Sequence, residues 1–384
     1  MTIKFSVAAF AEAAKAIRNI PGGSRNIEIL DHARMEVARK KLTLTMSDLD
    51  IEACATIPCE GASIVAAIPR AVLEFFIARD GGGDDSGTLT FADDMKTVVA
   101  RHGKGRLTMP ILPGADFFLI GAGTQDWSMA IRANELVELL RTCVSAMDET
   151  RHFIQGVLLH VAAGEDGASA LRTAATDGHR VHTVGVEAPE LTGGFAERQE
   201  GHQGITIPDR TVKELIRIFD GDESEVTLSG AKGIVTVEGE AIRVTSKLID
   251  AAFADYARLL QAPGAFRISV AAKALDAAIG RLLVLPRKDG KGKAETARPI
   301  RMTPVDGGLK LEIKGNDADA EDLIDCEVEG QGEPIVVNCR YIRDALAAAG
   351  GTKVTFAPIE GNAIGVRMLP DNDRSSFLLM QMRF

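Results

Sequence analysis

Aromatic side chains are scarce in this chain, at 5% of its 384 residues, and apolar content is an ordinary 46%. Long apolar runs are missing. No stretch approaches the roughly 18 uninterrupted apolar residues of a membrane-spanning helix. The amino terminus, Met1-Thr2-Ile3-Lys4-Phe5, lacks the apolar core of a signal peptide. The five cysteines, Cys54, Cys59, Cys143, Cys326 and Cys339, are odd in number and contain no C-x-x-C pair. That argues against a structural zinc and for reduced thiols in a cytoplasmic protein. Catalytic signatures are missing too: there is no G-x-S-x-G and no G-x-x-x-x-G-K-[ST]. Gly290-Lys291-Gly292-Lys293 has the wrong flanks for a phosphate loop and reads as a basic loop. His179-x-x-His182 lacks the helix and the glutamate of a zinc protease motif. Asp84-Asp85 and Asp317–Asp322 read as solvated charge. No metal and no cofactor is expected.

What the chain does contain is a repeat. Ile205 to Gly221 runs from a short strand into Pro208, then into an amphipathic helix that stops at Gly221. Val212, Leu215, Ile216 and Phe219 share one helical face, and Arg210, Lys213 and Arg217 share another. Ile64 to Gly81 has the same order, with Ile68-Pro69-Arg70 before the helix. Pro334 to Gly350 repeats it, with Asn338 as a helix cap. The anchors Ile68, Ile207 and Val337 recur at close to one third of the chain length, so three like units are expected. Their boundaries are expected at 1–125, 126–262 and 263–384.

Each unit reads strand, helix, strands, helix, strands. The openers Phe5, Trp127 and Phe266 recur, as do Thr90-Phe91, Thr227-Leu228 and Thr355-Phe356. Helices are expected at Ala8–Asn19, at Glu135–Ser145 with Asn134 as cap, and at Ala271–Leu283. Strands are expected across Ile27–Ala38 and, at the end, Ser376–Arg383. Amphipathic strands need one face covered, and two helices per unit supply the cover, which makes the fold class α+β. The net charge of −10 argues at first against a nucleic-acid partner. In the six expected helices, however, Lys and Arg outnumber Asp and Glu twelve to nine. Acidic loops with basic helix faces would segregate the charge, although for any one helix taken alone a solvated polar face is the readier explanation.

Thr176-Asp177-Gly178-His179-Arg180 is the densest polar cluster. Asp177-Gly178 reads as a tight turn between strands. A metal-dependent hydrolase using Asp177, His179 and His182 is the competing enzyme reading. A repeat-built protein-interaction scaffold without DNA is the other alternative.

Five stretches together resemble the bacterial DNA polymerase III β subunits, the sliding clamps. They are Arg151–Leu159, Ala175–Val181, Ser246–Asp250, Phe253–Tyr256 and Leu379–Phe384, set in order on a threefold repeat. The resemblance implies three repeated clamp domains in a ring-shaped, head-to-tail homodimer, with helices lining the hole and antiparallel sheets outside. It implies a non-catalytic processivity factor that encircles double-stranded DNA without sequence preference. A pocket for short peptides would take the DNA polymerase III catalytic subunit, the clamp loader, other polymerases and repair proteins. By motif position that pocket would use Ile154, Thr176, Gly178, His179, Arg180, Val181, Arg258, Leu259, Asn338, Tyr341, Leu378, Leu379, Met380, Met382 and Arg383. Ala254, Gln381 and Phe384 depart from the common pattern and put the fine peptide preference in question. DNA contacts would come from Arg25, Arg151, His152, Phe153 and Arg210, with Asp209 standing where a basic residue is common. The insertion Arg287–Lys293 could add a flexible contact or be a solvated loop. Leu107 and Met109 would add an edge strand to the partner near Val284 and Leu285, with Lys104 and Arg106 facing the acidic Asp317–Asp322 run.

Overall fold

A computed structural model describes residues 1–20, 27–81, 85–121, 125–163, 169–195, 204–231, 233–285, 298–315, 318–359, 364–372 and 374–384. Arg25 and the Arg287–Lys293 insertion lie outside the described residues, as do parts of the acidic runs at 84 and 317.

The first third contains β1 (Thr2–Ser6), α1 (Val7–Ile17), β2 (His32–Ala38), β3 (Lys41–Ser47), β4 (Ile51–Pro58), β5 (Ile64–Pro69), α2 (Arg70–Ile77), β6 (Ser86–Phe91), β7 (Thr97–His102), β8 (Gly105–Pro110) and the short β9 (Leu112–Pro113). The second contains β10 (Trp127–Arg132), α3 (Ala133–Cys143), β11 (Gly156–Ala163), β12 (Ser169–Thr176), β13 (Arg180–Glu187), β14 (Leu191–Gly193), β15 (Ile205–Pro208), α4 (Asp209–Phe219), β16 (Glu225–Ala231), β17 (Ile234–Glu238) and β18 (Ile242–Lys247). The third contains β19 (Arg267–Ala271), α5 (Ala272–Leu282), β20 (Pro299–Val305), β21 (Gly308–Lys314), β22 (Asp319–Ile324), β23 (Glu327–Glu329), β24 (Ile335–Asn338), α6 (Cys339–Ala349), β25 (Lys353–Pro358), β26 (Gly365–Pro370) and β27 (Ser375–Met380).

The strand-to-helix units form for the reasons their sequences give. Proline has no amide hydrogen and a fixed φ, so Pro69 and Pro208 end their strands where the helices start. In the third copy Asn338 caps α6 and accepts the Arg340 N–H. Gly81, Gly221 and Gly350 follow the three helices at φ 84°, 76° and 67°, a region glycine enters without strain.

Residues group into two compact units. One comprises Met1–Leu136, Pro189–Glu197 and Lys213–Leu248; the other comprises Val137–Ala188, Arg198–Val212 and Ile249–Phe384. The first holds the sheets β1-β6-β7-β8 and β14-β10-β16-β17-β18-β4-β3-β2-β5-β9. The second holds β15-β11-β12-β13-β27-β26-β25-β19-β23 and β22-β21-β20-β24. Each long sheet therefore joins two thirds of the chain through one antiparallel pair, β4 with β18 and β13 with β27. In the second unit Leu275, Ile279, Ile342, Met302, Phe356 and Phe377 belong to one helix-on-sheet core.

Strand register places the repeat residue by residue. Arg34 pairs with Thr45 and Thr45 with Cys54; the second third has Leu158, Ala174 and Thr183 in those places, and the last has Arg301, Glu312 and Glu321. Cys54, Thr183 and Glu321 are thus one position. Across the two internal junctions Cys54 faces Arg243, and Thr183 faces Ser376. On the other half of the repeat, Lys4 pairs with Thr88, Ala130 with Thr227 and Ser269 with Thr355.

That register corrects two of the sequence alignments. Thr88 and Leu89, not Thr90-Phe91, match Thr227-Leu228 and Thr355-Phe356. Trp127 and Phe266 match the position of Met1, while Phe5 matches Ile131 and Val270. Other boundaries also differ. Glu28–Asp31 is a 3-10 turn rather than strand, with Ile29 and Leu30 buried. Asn134 lies inside α3, which begins at Ala133, and the helix gives way to a 3-10 turn at Val144–Ala146. The last strand ends at Met380, so Met382 and Arg383 lie beyond it. Asp319–Ile324, which takes in most of the acidic run read as solvated charge, is the edge strand β22.

Candidate functional site

At the β13–β27 junction Val181 sits opposite Leu378. With Ala174, Tyr256 and Ile359 they form a small buried apolar cluster, and Leu158, Phe253, Leu260 and Met380 pack against it half-buried. Leu259, next to Leu260, and Ile364, next to the Gly365–Met380 pair, keep 41% and 54% of their surface exposed. An apolar cluster with exposed apolar neighbours can receive a small apolar anchor. Sequence reasoning found Val181, Leu378, Met380 and Leu259. It missed Leu158, Ala174, Phe253, Tyr256, Leu260 and Ile359. Period-two alternation, which places Leu158 and Ala174 on Val181's face, could have found the first two.

The remaining motif residues are placed differently from one another. Leu379 points to the opposite face of β27, into the helix-covered core. Ile154 is buried in the turn His152–Ile154. Thr176 Oγ donates to the Arg180 carbonyl (2.7 Å) and accepts from Gly178 N (3.1 Å). His179 is exposed, and its carbonyl accepts Met380 N (2.9 Å). The Arg180 guanidinium lies 4.1 Å over the Tyr341 ring and is tied to Asp177, Asp344 and the Ser145 carbonyl. It holds the junction together and has little left to offer a ligand. Asn338 is spent on capping α6. Met382 N donates to the Val336 carbonyl, while Arg383 is exposed. Arg258 is exposed, with Asp255 at 3.9 Å.

Beside this cluster lies a polar cleft of about 560 Å³, lined by Asp148, Arg151, Asp177, His179, Arg180, Asn338, Tyr341 and Asp344 among others. Asp148 organises its edge. Burial opposes ionisation of this carboxyl. Hydrogen bonds from the Arg151 side chain and backbone and from Thr150 outweigh that, and hold it well below the usual carboxylate range. Arg151 also donates to the Asp177 carbonyl. Gly178 sits at φ 78°, and a Cβ there would lie 3.0 Å from the Arg151 guanidinium. Arg151, His152 and Phe153 thus stand on one ordered, exposed turn. Arg210 is half-buried at the start of α4.

The hydrolase triad is not assembled. Asp177 Oδ1 accepts from His179 N and Arg180 N, and Oδ2 binds Arg180, so the carboxylate closes a turn. His182 is fully buried. Burial pushes its pKa down to about 3, against a hydrogen bond to the Thr142 carbonyl that favours the charged form. Among the described residues no group of three His, Cys, Asp or Glu could hold a metal.

The β4–β18 junction shows the same positions without the apolar cluster. Glu52 stands where Val181 does, and Thr245 where Leu378 does. Glu52 is buried, and its carboxylate accepts Ile120 N (2.8 Å) from the segment that follows β9.

β8 and β22 are edge strands, each paired on one side only, with β7 and β21. β8 carries the exposed Arg106 and the half-buried Leu107 and Met109, with the exposed Lys104 in the turn just before it; Arg106 faces Arg101 across the pair. β22 carries exposed Asp319 and Glu321, and Glu321 faces Glu312. Beyond α5, Val284 is 80% exposed while Leu285 packs against the core. Like charges directly opposite destabilise a sheet, so each edge is unfavourable as it stands.

Several basic helix residues are already paired. Lys15 binds Asp80, Arg18 binds Glu74, Arg281 binds Asp322 and Arg343 binds Asp276. Arg217 binds Glu214 and donates to the Lys15 and Ala16 carbonyls at the end of α1.

Comparison with known proteins gives consistent results. The family profile of the DNA polymerase III beta subunit, central domain, matches residues 130–255. The beta sliding clamp of Caulobacter vibrioides is 26% identical, with 100% of both chains covered. A crystal structure of the C. crescentus beta sliding clamp superposes with a TM-score of 0.88 at 23% identity, covering 100% of this chain and 99% of that one. A Pseudomonas aeruginosa sliding clamp bound to griselimycin superposes with a TM-score of 0.86 at 22% identity, with 100% of both covered.

Proposed function

The chain belongs to the bacterial β sliding clamps, and from that premise we propose how its own residues do a clamp's work. A sliding clamp is a non-catalytic processivity factor: it encircles duplex DNA and tethers the polymerase. The domain boundaries fall in the connecting segments, at 125/126 and 262/263. The ring is closed by joining β8 of one protomer to β22 of its partner, antiparallel, as a third copy of the junction that the chain already makes twice.

The observation that carries this reading is the register. Both internal junctions pair the same positions, Cys54 with Arg243 and Thr183 with Ser376. Glu321 stands where Cys54 and Thr183 do, and Arg106 where Arg243 and Ser376 do. A third junction in this register sets Glu321 opposite Arg106 of the partner subunit, Ala320 opposite the partner's Leu107 and Ala318 opposite the partner's Met109. Arg106 and Glu321, each beside a like charge within its own protomer, then each meet an opposite charge across the seam. Edge pairing with complementary charge and a small apolar contact suits a ring that must open.

Within the ring, Arg151, His152, Phe153 and Arg210, with Arg25, meet the duplex. Contacts to phosphates carry no sequence information, so the ring slides. The apolar cluster around Val181 and Leu378 takes the apolar anchors of short peptides from the polymerase catalytic subunit, the clamp loader and repair proteins, and it also takes griselimycin. A clamp that works on replicating DNA acts in the cytoplasm.

The junction is tested by charge exchange. Arg106→Glu should yield monomer in sedimentation velocity at micromolar concentration. Combining it with Glu321→Arg should restore the dimer. A dimer untouched by Arg106→Glu, or a double variant that stays monomeric, would count against this register.

A further inference from the structure

The segment between β18 and β19 forms one wall of the apolar cluster, through Phe253, Tyr256 and Leu260. It is held in the middle by two side-chain contacts. The Tyr256 hydroxyl meets His160 Nε2 at 2.7 Å. Arg367 Nη1 donates to the carbonyls of Leu260 (3.1 Å) and Gln261 (3.0 Å), while its Nε and Nη2 donate to Ser376 Oγ (3.2 and 2.7 Å). Arg367 is half-buried, and all four of its hydrogen bonds end on neutral oxygens. A cation desolvated without a carboxylate is costly, and β26 has no need of one. At the same place in the other copies stand Thr236, hydrogen-bonded to Thr245, and Val99.

The first junction solves the same problem with the opposite charge. There Glu52, on the junction strand itself, captures the connecting segment by its Ile120 N–H. That places a buried carboxylate where a pocket floor would be. At the second junction the clamp has moved to the neighbouring strand and grips carbonyls instead. Position 181 is thereby released to be valine. We propose that Arg367 is a positioning residue for the peptide pocket: it clamps Leu260 and Gln261 so that the connecting segment stands as a preformed wall, and it does so without touching the ligand. Preorganisation of this kind raises affinity by removing the ordering cost at binding.

This inference rests on the peptide-pocket reading, and the test separates the two. Griselimycin binding is measured by calorimetry on the full-length dimer, with amide hydrogen exchange over 255–261 in the free protein. Arg367→Ala should weaken binding by about tenfold, equivalent to ~1.4 kcal/mol, and should speed exchange in that segment. Arg367→Lys should not restore affinity, because a single ammonium nitrogen cannot span, as the planar guanidinium does, the two carbonyls on one side and Ser376 on the other. Ser376→Ala should fall between, and it carries the test if Arg367→Ala does not fold. If binding is lost in Val181→Glu yet kept within about twofold in Arg367→Ala, or if exchange is unchanged, the clamp is wrong and the pocket stands. If the unaltered protein does not bind griselimycin, both fall.

Discussion

At the scale of single residues, the polar side chains one would seek in a catalytic site serve architecture. Arg180 and Asp177 fasten a turn and a junction, and Asn338 caps a helix. His182 shows what burial does to such a group. Its ring is fully enclosed, edge-on to Phe377 with centroids 4.7 Å apart, on the junction pair itself. The folded protein keeps it neutral, with a pKa pushed down to about 3, whereas an unfolded chain would protonate it near pH 6.5. The unfolded state therefore binds the extra proton, and stability should fall as the pH drops below about 6.5, by up to about 1.4 kcal/mol per unit. Urea unfolding at pH 7, 6 and 5 checks this. His182→Gln should flatten the dependence in that window, where Asp148, held far lower, does not titrate. The thiols follow the same logic. Burial pushes Cys143 up to about 12 and Cys339 up to about 11. Neither should react with iodoacetamide at pH 8 in the native protein, while the half-exposed Cys326 should be alkylated first, as peptide mass mapping would show.

At the scale of elements, the strand-to-helix units were legible because their signals are local. Helical spacing of Val212, Leu215 and Phe219, a proline or asparagine at the start and a glycine at the end need no tertiary context. The openers were misaligned because a large apolar residue near a strand start is a weak marker of register; only the pairing of Lys4, Ala130 and Ser269 with their threonines fixes it. Asn134 misled for a related reason: it has a capping side chain, but β10 runs directly into α3 one residue earlier. Motif position found the strand residues of the candidate pocket and not its wall, since Phe253, Tyr256 and Leu260 lie in irregular chain with no period to read. Nor could sequence tell that Arg217, on the basic face of α4, is committed to α1. Its bonds to the Lys15 and Ala16 carbonyls satisfy groups that a helix end leaves open. Arg217→Ala should lower stability by about 1–2 kcal/mol, read as a lower urea midpoint, with little change in dimerisation. A midpoint within error of the unaltered protein would show that those bonds contribute nothing net.

At the scale of the whole molecule, one unit copied twice explains both what the chain joins internally and what it leaves open. Two junctions are made within the chain, and the edge strands β8 and β22 carry the opposite charges that the proposed third junction requires. Only one of the internal junctions is apolar on the relevant face, which gives one candidate peptide pocket per protomer. Electrostatic pairing at the third junction should also make the dimer salt-sensitive, because exposed ion pairs are screened over about 8–10 Å at physiological ionic strength. The central claim is that the closed dimer holds DNA by enclosing it. The direct measurement loads labelled protein onto a nicked circular plasmid with the cognate clamp loader, removes free protein by gel filtration, and cuts the circle once. The account predicts label that stays with the circle and is lost when the circle becomes linear. Equal retention on circular and linear DNA, or none on either, would contradict it.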